Sequence, residues 1–305
     1  MYIRASATML DDPAYQRALT YCTGIIRQKA HSFYFASRFL PPDKRQDVFA
    51  LYAFCRIVDD IADLPQQNPA LGSTVDQLQE WGSWLVAGAP MRDDDLVKYA
   101  LGRVVRERGL PLQPLIELVD TVCEDLDPRH LPDYPALERY CHGVAGTVGI
   151  AMAALLGTRD ADVLTYARDL GVAMQLTNVL RDIGEDLMRG RVYLPADEMA
   201  RFGYARSDLE RGVIDDRFVA LMRFHVVRAR HYYSRGVDGL RYLPLDSQFP
   251  IAIAARTYAG ILTKIERANF DVFTRRARTG RRDKLLLAGR LYTHRWRGAA
   301  APLDA

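Results

Sequence analysis

Val48-Phe49-Ala50-Leu51-Tyr52-Ala53-Phe54-Cys55-Arg56-Ile57-Val58-Asp59-Asp60-Ile61-Ala62-Asp63 decides the fold class. Val48, Leu51, Tyr52, Cys55 and Val58 recur at three- and four-residue steps, the spacing of one helix face. The same period runs through 96–106, 112–125, 136–156, 160–188, 213–240 and 250–273. Prolines and glycines fall mostly between these stretches: Pro41-Pro42, Pro65, Pro90, Gly109-Leu110-Pro111, Pro128, Pro132, Pro195, Pro244 and Pro250. Alternating strand patterns bounded by hairpin turns are absent. The sequence therefore predicts an all-α bundle of about ten or more helices with short connections.

At about 100° per residue, Tyr52, Arg56, Asp59 and Asp63 fall on one narrow stripe of the opening helix. Asp59 and Asp63 stand one turn apart, so their carboxylates can meet. Like charges at that spacing destabilise a helix by about 0.2–0.5 kcal/mol. A cation should compensate: Arg56, or a divalent metal that takes oxygen ligands. For this segment alone, an acidic solvated face is the alternative. Asp60 lies off the stripe and reads as an exposed carboxylate or as a supporting partner.

A second segment, Gly171-Val172-Ala173-Met174-Gln175-Leu176-Thr177-Asn178-Val179-Leu180-Arg181-Asp182-Ile183-Gly184-Glu185-Asp186, repeats the theme. Gln175, Asp182 and Asp186 share a stripe, with Asn178 at its edge, and the rest of the surface is largely apolar. A helix that apolar should be buried. Its polar stripe then needs partners, because an unpaired buried polar group costs about 1–3 kcal/mol. Each segment holds Asp-x-x-x-Asp with an arginine just before it. Two such helices facing one cavity would hold Mg²⁺ between four carboxylates. Mg²⁺ prefers a few carboxylates, waters and substrate phosphate oxygens, which points to a diphosphate ligand, with arginine adding bidentate contacts.

Composition narrows the class. The 305 residues are 49% hydrophobic, ample for a large core, and the net charge of +3 gives no case for nucleic acid. No linker or low-complexity tract marks a boundary, so one domain over 1–305 is expected, with a short lead 1–12 and a basic segment 275–297. The arginine-rich run Arg275 to Arg282 reads mainly as a solvated face, with phosphate or an anionic membrane as the other options. Cys22, Cys55, Cys123 and Cys141 show neither close pairing nor zinc spacing. Three of them have apolar or aromatic neighbours, as buried thiols do in a reducing cytoplasm. The start, Met1-Tyr2-Ile3-Arg4-Ala5, lacks the apolar core of a signal peptide. The weakly polar run 144–157 is too short to span a bilayer, which takes about 20 residues. The expectation is a cytoplasmic protein, soluble or at most peripheral to a membrane.

A diphosphate held by Mg²⁺ and arginine is a good leaving group. If the organic part is allylic, its departure leaves a carbocation that needs shielding from water and aromatic faces nearby. Phe33, Tyr34, Phe35, Tyr52, Phe54, Tyr140, Tyr193 and Tyr258 are available, most of them as core packing. A long apolar substrate also needs a dry tunnel. Gly143, Gly146 and Gly149 lie at helical spacing, each costing up to about 1 kcal/mol in a helix interior. Close approach of a ligand or of another helix would explain them.

Taken together, Ser32-Phe33, Tyr52 to Asp63, Tyr140 to Gly149, Gln175 to Asp186 and Arg191-Val192-Tyr193-Leu194-Pro195 resemble the squalene/phytoene synthase family. Five separated motifs in order make the resemblance specific. It implies the isoprenoid synthase bundle with a central active-site cavity. By position, Asp59, Asp63, Asp182 and Asp186 would bind Mg²⁺–diphosphate, with Asn178 as a further ligand and Gln175 assisting. Two to three Mg²⁺ ions are implied, with Mn²⁺ as a substitute. Ser32, Tyr52, Arg56 and Arg181 would contact diphosphate, and Tyr258 and Arg275 align with late substrate-contacting positions. Tyr140 and Tyr193 would flank the reacting carbons, and with Tyr52 and Arg56 they form the expected catalytic set. Some bacterial relatives begin the Ser32 motif with His-Ser where this chain has Lys29-Ala30, which makes Lys29 a candidate phosphate contact.

The implied reaction joins two isoprenyl diphosphates head to head through a cyclopropyl diphosphate. Phytoene synthases then lose a proton, whereas squalene synthases accept hydride from NADPH, so NADPH is expected only for the squalene type. Ser37, four residues after Phe33, would deepen the tunnel if it points inward, which leans towards two C20 chains and phytoene. Dehydrosqualene, squalene or presqualene diphosphate synthesis from C15 chains is the near alternative. A non-catalytic assembly factor would have no reason to keep both Asp pairs, and a Mg²⁺-dependent phosphohydrolase would not need the small-residue helix.

Overall fold

The Asp12 carboxylate opens the first helix by accepting the N–H groups of Ala14 and Tyr15, with Pro13 at the first helical position. The same device recurs at Asp95, Asp133, Asp160 and Asp215, and Ser73 with Asp76 forms a reciprocal capping box. The computed structural model describes residues 12–63, 73–126, 131–158 and 160–296. Residues 1–11 of the expected lead, Pro65, Pro128 and the end of the basic segment at residue 297 lie outside the described residues.

The helices are α1 (Pro13–Lys29), α2 (His31–Ser37), α3 (Pro42–Asp63), α4 (Thr74–Val86), α5 (Leu96–Arg108), α6 (Gln113–Glu124), α7 (Tyr134–Cys141) and α8 (Thr147–Leu156). There follow α9 (Ala161–Arg181), α10 (Ile183–Met188), α11 (Ala196–Arg201), α12 (Arg206–Glu210), α13 (Asp216–Asp238), α14 (Leu245–Arg267) and α15 (Arg281–Trp296). A π turn at His142–Gly146 joins α7 to α8, and a 3₁₀ turn at Gly239–Tyr242 follows α13. The described residues contain no strand. None of their helices is long and apolar enough to cross a membrane.

Two large hydrophobic clusters organise the bundle, and a small third one joins α2, α14 and α15 through Ala36, Ile253, Ala254, Ala288 and Leu291. Phe54, Leu78 and Leu101 are fully buried in the first, which joins α1, α3, α4, α5 and α6 and takes in α8. Leu137, Phe218 and Tyr233 are fully buried in the second, built on α7, α9, α13 and α14. Each such side chain contributes about 1.5–3 kcal/mol by leaving water. Helices α3 and α9 thus belong to opposite clusters, and a cavity opens between them, lined by both.

Several boundaries differ from expectation. The helix expected over 160–188 breaks at Asp182 (φ −102°, ψ 11°). The Asp182 N–H still bonds the Asn178 carbonyl, and the Asp186 N–H bonds the Asp182 carbonyl, both at 2.8 Å. The break therefore keeps Asp182 and Asp186 one turn apart. The span 136–156 contains the π turn. Pro250, expected between helices, lies inside α14, which starts at Leu245 and ends at Arg267 rather than at 273. One proline costs that helix the hydrogen bond to its i−4 carbonyl, and Ile253, Ala254, Ala255, Leu262 and Ile265, all buried beyond it, hold the helix together.

The close approach of α8 to α9 depends on glycine. A Cβ on Gly149 would stand 2.2 Å from the Ala167 carbonyl oxygen, and one on Gly171 would stand 2.2 Å from that of Ala145. Gly143 likewise leaves room for the Thr121 side chain. Helix packing therefore accounts for these glycines, although Gly149 and Gly171 also border the cavity.

Candidate active site

The cavity has a volume of about 810 Å³. Val48, Leu51, Tyr52, Cys55, Arg56, Asp59 and Asp63 line it from α3. At about 1.5 Å per residue, Val48 and Asp63 are roughly 22 Å apart along the helix. One end of the wall is therefore apolar and the other is charged. Val148, Met152 and Leu156 continue the apolar wall from α8, and Ser37 and Leu40 join it beside α2. Ser37 is buried and donates its hydroxyl hydrogen to the Tyr34 carbonyl at 2.9 Å.

At the charged end, Arg56 donates to Asp59 at 3.1 Å and also to Asp60. Lys29 pairs with Asp60 at 3.5 Å. Asp60 therefore holds the two cations in place. Asp63 receives Arg191 Nη1 at 2.5 Å and Arg189 Nη1 at 3.1 Å. Both arginines follow α10, so they tie the second carboxylate segment to α3. The Asp59 side chain is 56% exposed and borders the cavity. Enclosure by the cavity walls and the neighbouring Asp63 charge raise its carboxyl to about 6, against the pull of Arg56.

Across the cavity, Asp182 accepts Arg181 Nε at 2.8 Å and Nη2 at 2.5 Å. It also accepts Arg276 Nε at 2.9 Å and Nη2 at 3.1 Å. Burial and the Asp182 charge push Asp186 up to about 7, and Asp63 adds to the same effect. Asp63 thus acts on carboxylates of both segments, which marks the two as facing one space. Gln175 accepts the Asn178 amide at 3.1 Å, leaving the buried Asn178 Oδ1 without a partner.

The donors fit a hard cation in kind. They are carboxylate and amide oxygens, one amide oxygen is orphaned, and enclosure and like charge raise the Asp59 and Asp186 carboxyls above the usual range. Among the described residues no three acidic, histidine or cysteine groups are drawn together as a metal cluster. Arginines hold Asp59, Asp63 and Asp182 instead.

The aromatic residues expected at the site line it. Tyr52 lies 6.3 Å and Tyr258 5.0 Å from Phe33 between ring centroids. Tyr140 and Tyr193 stack at 4.6 Å with 16° between their planes, and Tyr193 donates to Asp125 at 2.6 Å. Ser32, Gln175, Asn178 and Arg181 are also in the wall. Arg275 is the exception: it is exposed and outside the lining, and its neighbour Arg276 reaches in. The arginine run lies in irregular chain between α14 and α15, where Arg276, Ala277, Arg278 and Thr279 line the cavity and Arg275 does not. Arg189 and Asp125 also escaped notice in the sequence, and Arg191 entered only as the start of the Arg191–Pro195 motif, without a role of its own. Arg189 and Arg191 carried a signal, as cations directly after Asp186 and before Tyr193. Asp125 had none.

The squalene/phytoene synthase sequence pattern matches residues 26–283. The chain belongs to the squalene/phytoene synthase family. It is 37% identical over 283 residues to the 15-cis-phytoene synthase of Synechocystis sp., covering 89% of this chain and 83% of that one. Against the phytoene synthase of Arthrospira platensis the identity is 36% over 269 residues, covering 84% and 86%. A crystal structure of a dehydrosqualene synthase in complex with ligand superposes with a TM-score of 0.85 at 31% identity, over 93% of this chain and 98% of that one. The all-α synthase fold of this family member is therefore shared over nearly its whole length.

Proposed function

We propose that this family member is a prenyltransferase that condenses two geranylgeranyl diphosphates head to head, through a cyclopropyl diphosphate, to phytoene for carotenoid biosynthesis. The observation that carries it is one cavity whose facing walls are acidic and arginine-rich at one end and apolar along the rest. The phytoene synthase relatives support the product. The two hydrophobic clusters share that cavity, which supports treating the chain as one functional domain.

Asp59, Asp63, Asp182, Asp186 and Asn178 would hold Mg²⁺, two to three ions with Mn²⁺ as a substitute. When bound, the metal neutralises charge that grows on the departing diphosphate. Arg56, Arg181, Arg191 and Arg276 are placed to exchange their carboxylate partners for diphosphate oxygens, with Ser32, Tyr52, Gln175, Tyr258 and Lys29 around them. The apolar wall orients the prenyl chains and keeps water from the cation. Aromatic faces of Tyr52, Phe33, Tyr140 and Tyr193 steady it. The buried Ser37 leaves depth for C20 chains. The likeness to a dehydrosqualene synthase keeps C15 chains as the second reading.

Purified protein incubated with geranylgeranyl or farnesyl diphosphate separately, with Mg²⁺ and with or without NADPH, separates these by product mass. Phytoene from the C20 substrate without NADPH is expected. Product from farnesyl diphosphate alone would overturn the C40 assignment. The product is long and apolar, so release at a bilayer surface belongs to the same proposal. Co-sedimentation with lipid vesicles during turnover tests it.

A further inference from the structure

The start of α14 is held beside the apolar end of the cavity. Lys44, near the start of α3, donates to the Asp246 carboxylate at 2.7 Å and to the Leu156 carbonyl at 3.2 Å. On the outside of this wall an apolar strip runs across three elements. Phe39, in the turn after α2, lies 5.3 Å from Phe249 of α14, which lies 6.3 Å from Tyr292 of α15, between ring centroids. Leu245 stands one turn before Phe249 and Leu285 two turns before Tyr292, so both extend the strip along the same helix faces. Leu245, Leu285 and Leu286 are 70%, 63% and 65% exposed, and Phe39 and Tyr292 are exposed as well. Single exposed leucines need no explanation, but a connected run of apolar side chains does. The same elements line the cavity on their inner side: Leu40 follows Phe39, Leu243 comes just before Leu245, and Pro250 follows Phe249.

We infer that this strip, together with the basic face of α15, is the docking surface for an anionic bilayer, so that the apolar end of the cavity lies against lipid. Charge selects the partner. Arg282, Leu286 and Arg290 follow at one-turn steps along the outward face of α15, with Arg281 at its start. Among the described residues these three arginines have no carboxylate partner. The acids of the same surface are answered by lysines instead: Asp283 pairs with Lys264 at 2.6 Å, and Asp246 with Lys44. The surface is therefore apolar with an excess of positive charge. That is the pattern of a helix lying in the membrane interface, its leucines among the acyl chains and its arginines at the headgroups. Such a helix rests on the bilayer, in keeping with the lack of any described helix long and apolar enough to cross one. A second copy of the chain fits this face worse, because a two-fold interface would set the arginines against their own copies. The benefit rests on the proposed reaction: a long apolar product at that end of the cavity meets lipid, not water, on the other side of the wall. The docking itself does not depend on the reaction.

The test measures co-sedimentation of the full chain, without substrate, with vesicles of phosphatidylcholine alone and of phosphatidylcholine mixed with phosphatidylglycerol. Wild type should bind the mixed vesicles, bind the neutral ones roughly tenfold more weakly or worse, and let go as salt is raised. Arg282→Gln combined with Arg290→Gln should lower the partition coefficient about 25-fold, roughly fivefold for each charge withdrawn. Leu285→Ser combined with Leu286→Ser should lower it about tenfold or more. All four side chains are exposed and outside the site, so the unfolding midpoint and turnover in detergent should stay at wild-type values. Val86→Ser, at an exposed apolar position on α4, should leave binding unchanged. Wild type that ignores the mixed vesicles, or paired variants that bind them as wild type does, overturns the inference. So does a wild-type dimer in solution that either pair of substitutions breaks, because the face is then an interface between copies. Intact vesicle binding with no product from any prenyl diphosphate would instead overturn the proposed function, so the two failures are distinct.

Discussion

Arg191 reaches from beyond α10 to Asp63 at the end of α3, with 2.5 Å between Nη1 and the carboxylate oxygen, and its Nη2 donates to the Ala62 carbonyl at 3.2 Å. One guanidinium thus joins the two halves of the site. Replacing it tests whether that strut matters to turnover. Arg191→Gln should lower kcat/KM by roughly 10²-fold, the order expected for loss of one charge-stabilising donor. Arg191→Lys should recover only part, because an ammonium lacks the two-pronged geometry. Steady-state kinetics with circular dichroism as the fold control decides it.

Asp59 and Asp182 sit on opposite walls, and both are proposed to carry the metal. Asp59→Ala and Asp182→Ala should each reduce product formation by roughly 10²- to 10³-fold or more with an unchanged far-ultraviolet spectrum. Full activity in both variants would remove the metal assignment.

Ser37 is small, buried and part of the cavity wall. Ser37→Phe would shorten the apolar space. Use of the C20 substrate should fall about 10- to 200-fold relative to the C15 substrate, the discrimination that shape alone gives for small changes in size. Competition between the two substrates, read by product mass, measures the ratio. No change in ratio would mean the chain tips lie elsewhere.

Gly171 sits where a Cβ would meet the Ala145 carbonyl at 2.2 Å. Gly171→Ala should cost about 1–3 kcal/mol through overpacking, despite alanine's better helix propensity. Urea unfolding reads the cost directly. Gly24, with open space around it, is the control, and Gly24→Ala should be neutral or stabilising.

His225 is 2% exposed, and burial followed by the Arg228 charge lowers its pKa to about 3. Glu198 is already claimed by Arg228 at 2.9 Å and 2.5 Å. An unfolded histidine titrates near 6.5, so below that pH the unfolded chain binds a proton that the folded one refuses. Stability should therefore fall as the pH drops from 6.5 towards 3. Between pH 7.5 and 5.5 the wild type should lose about 1.4 kcal/mol more than His225→Gln does. Equal losses would mean that His225 is protonated in the folded protein.

The stripe of Tyr52, Arg56, Asp59 and Asp63 was legible because one uninterrupted helix sets their angles. The Gln175 to Asp186 stripe was legible only in part. Its helix breaks at Asp182, a residue bonded by two arginines, and periodicity carries no notice of such a break. Arg275 and Arg276 could not be told apart, since α14 ends before them and no repeat fixes which one turns inward. Asp125 was invisible for another reason: its meaning depends on Tyr193, 68 residues away. Pro250 misled because a helix with enough buried apolar contacts tolerates the loss of one backbone bond.

The guanidinium partners of Asp59, Asp63 and Asp182 have a consequence for the life of the protein between turnovers. Many small metalloproteins collapse when stripped, because the ion is their scaffold. Here the bundle rests on its apolar clusters, and these three acids are already balanced from within. Cation starvation should therefore idle such an enzyme rather than destroy it, leaving a dormant pool that resumes work as soon as the ion returns.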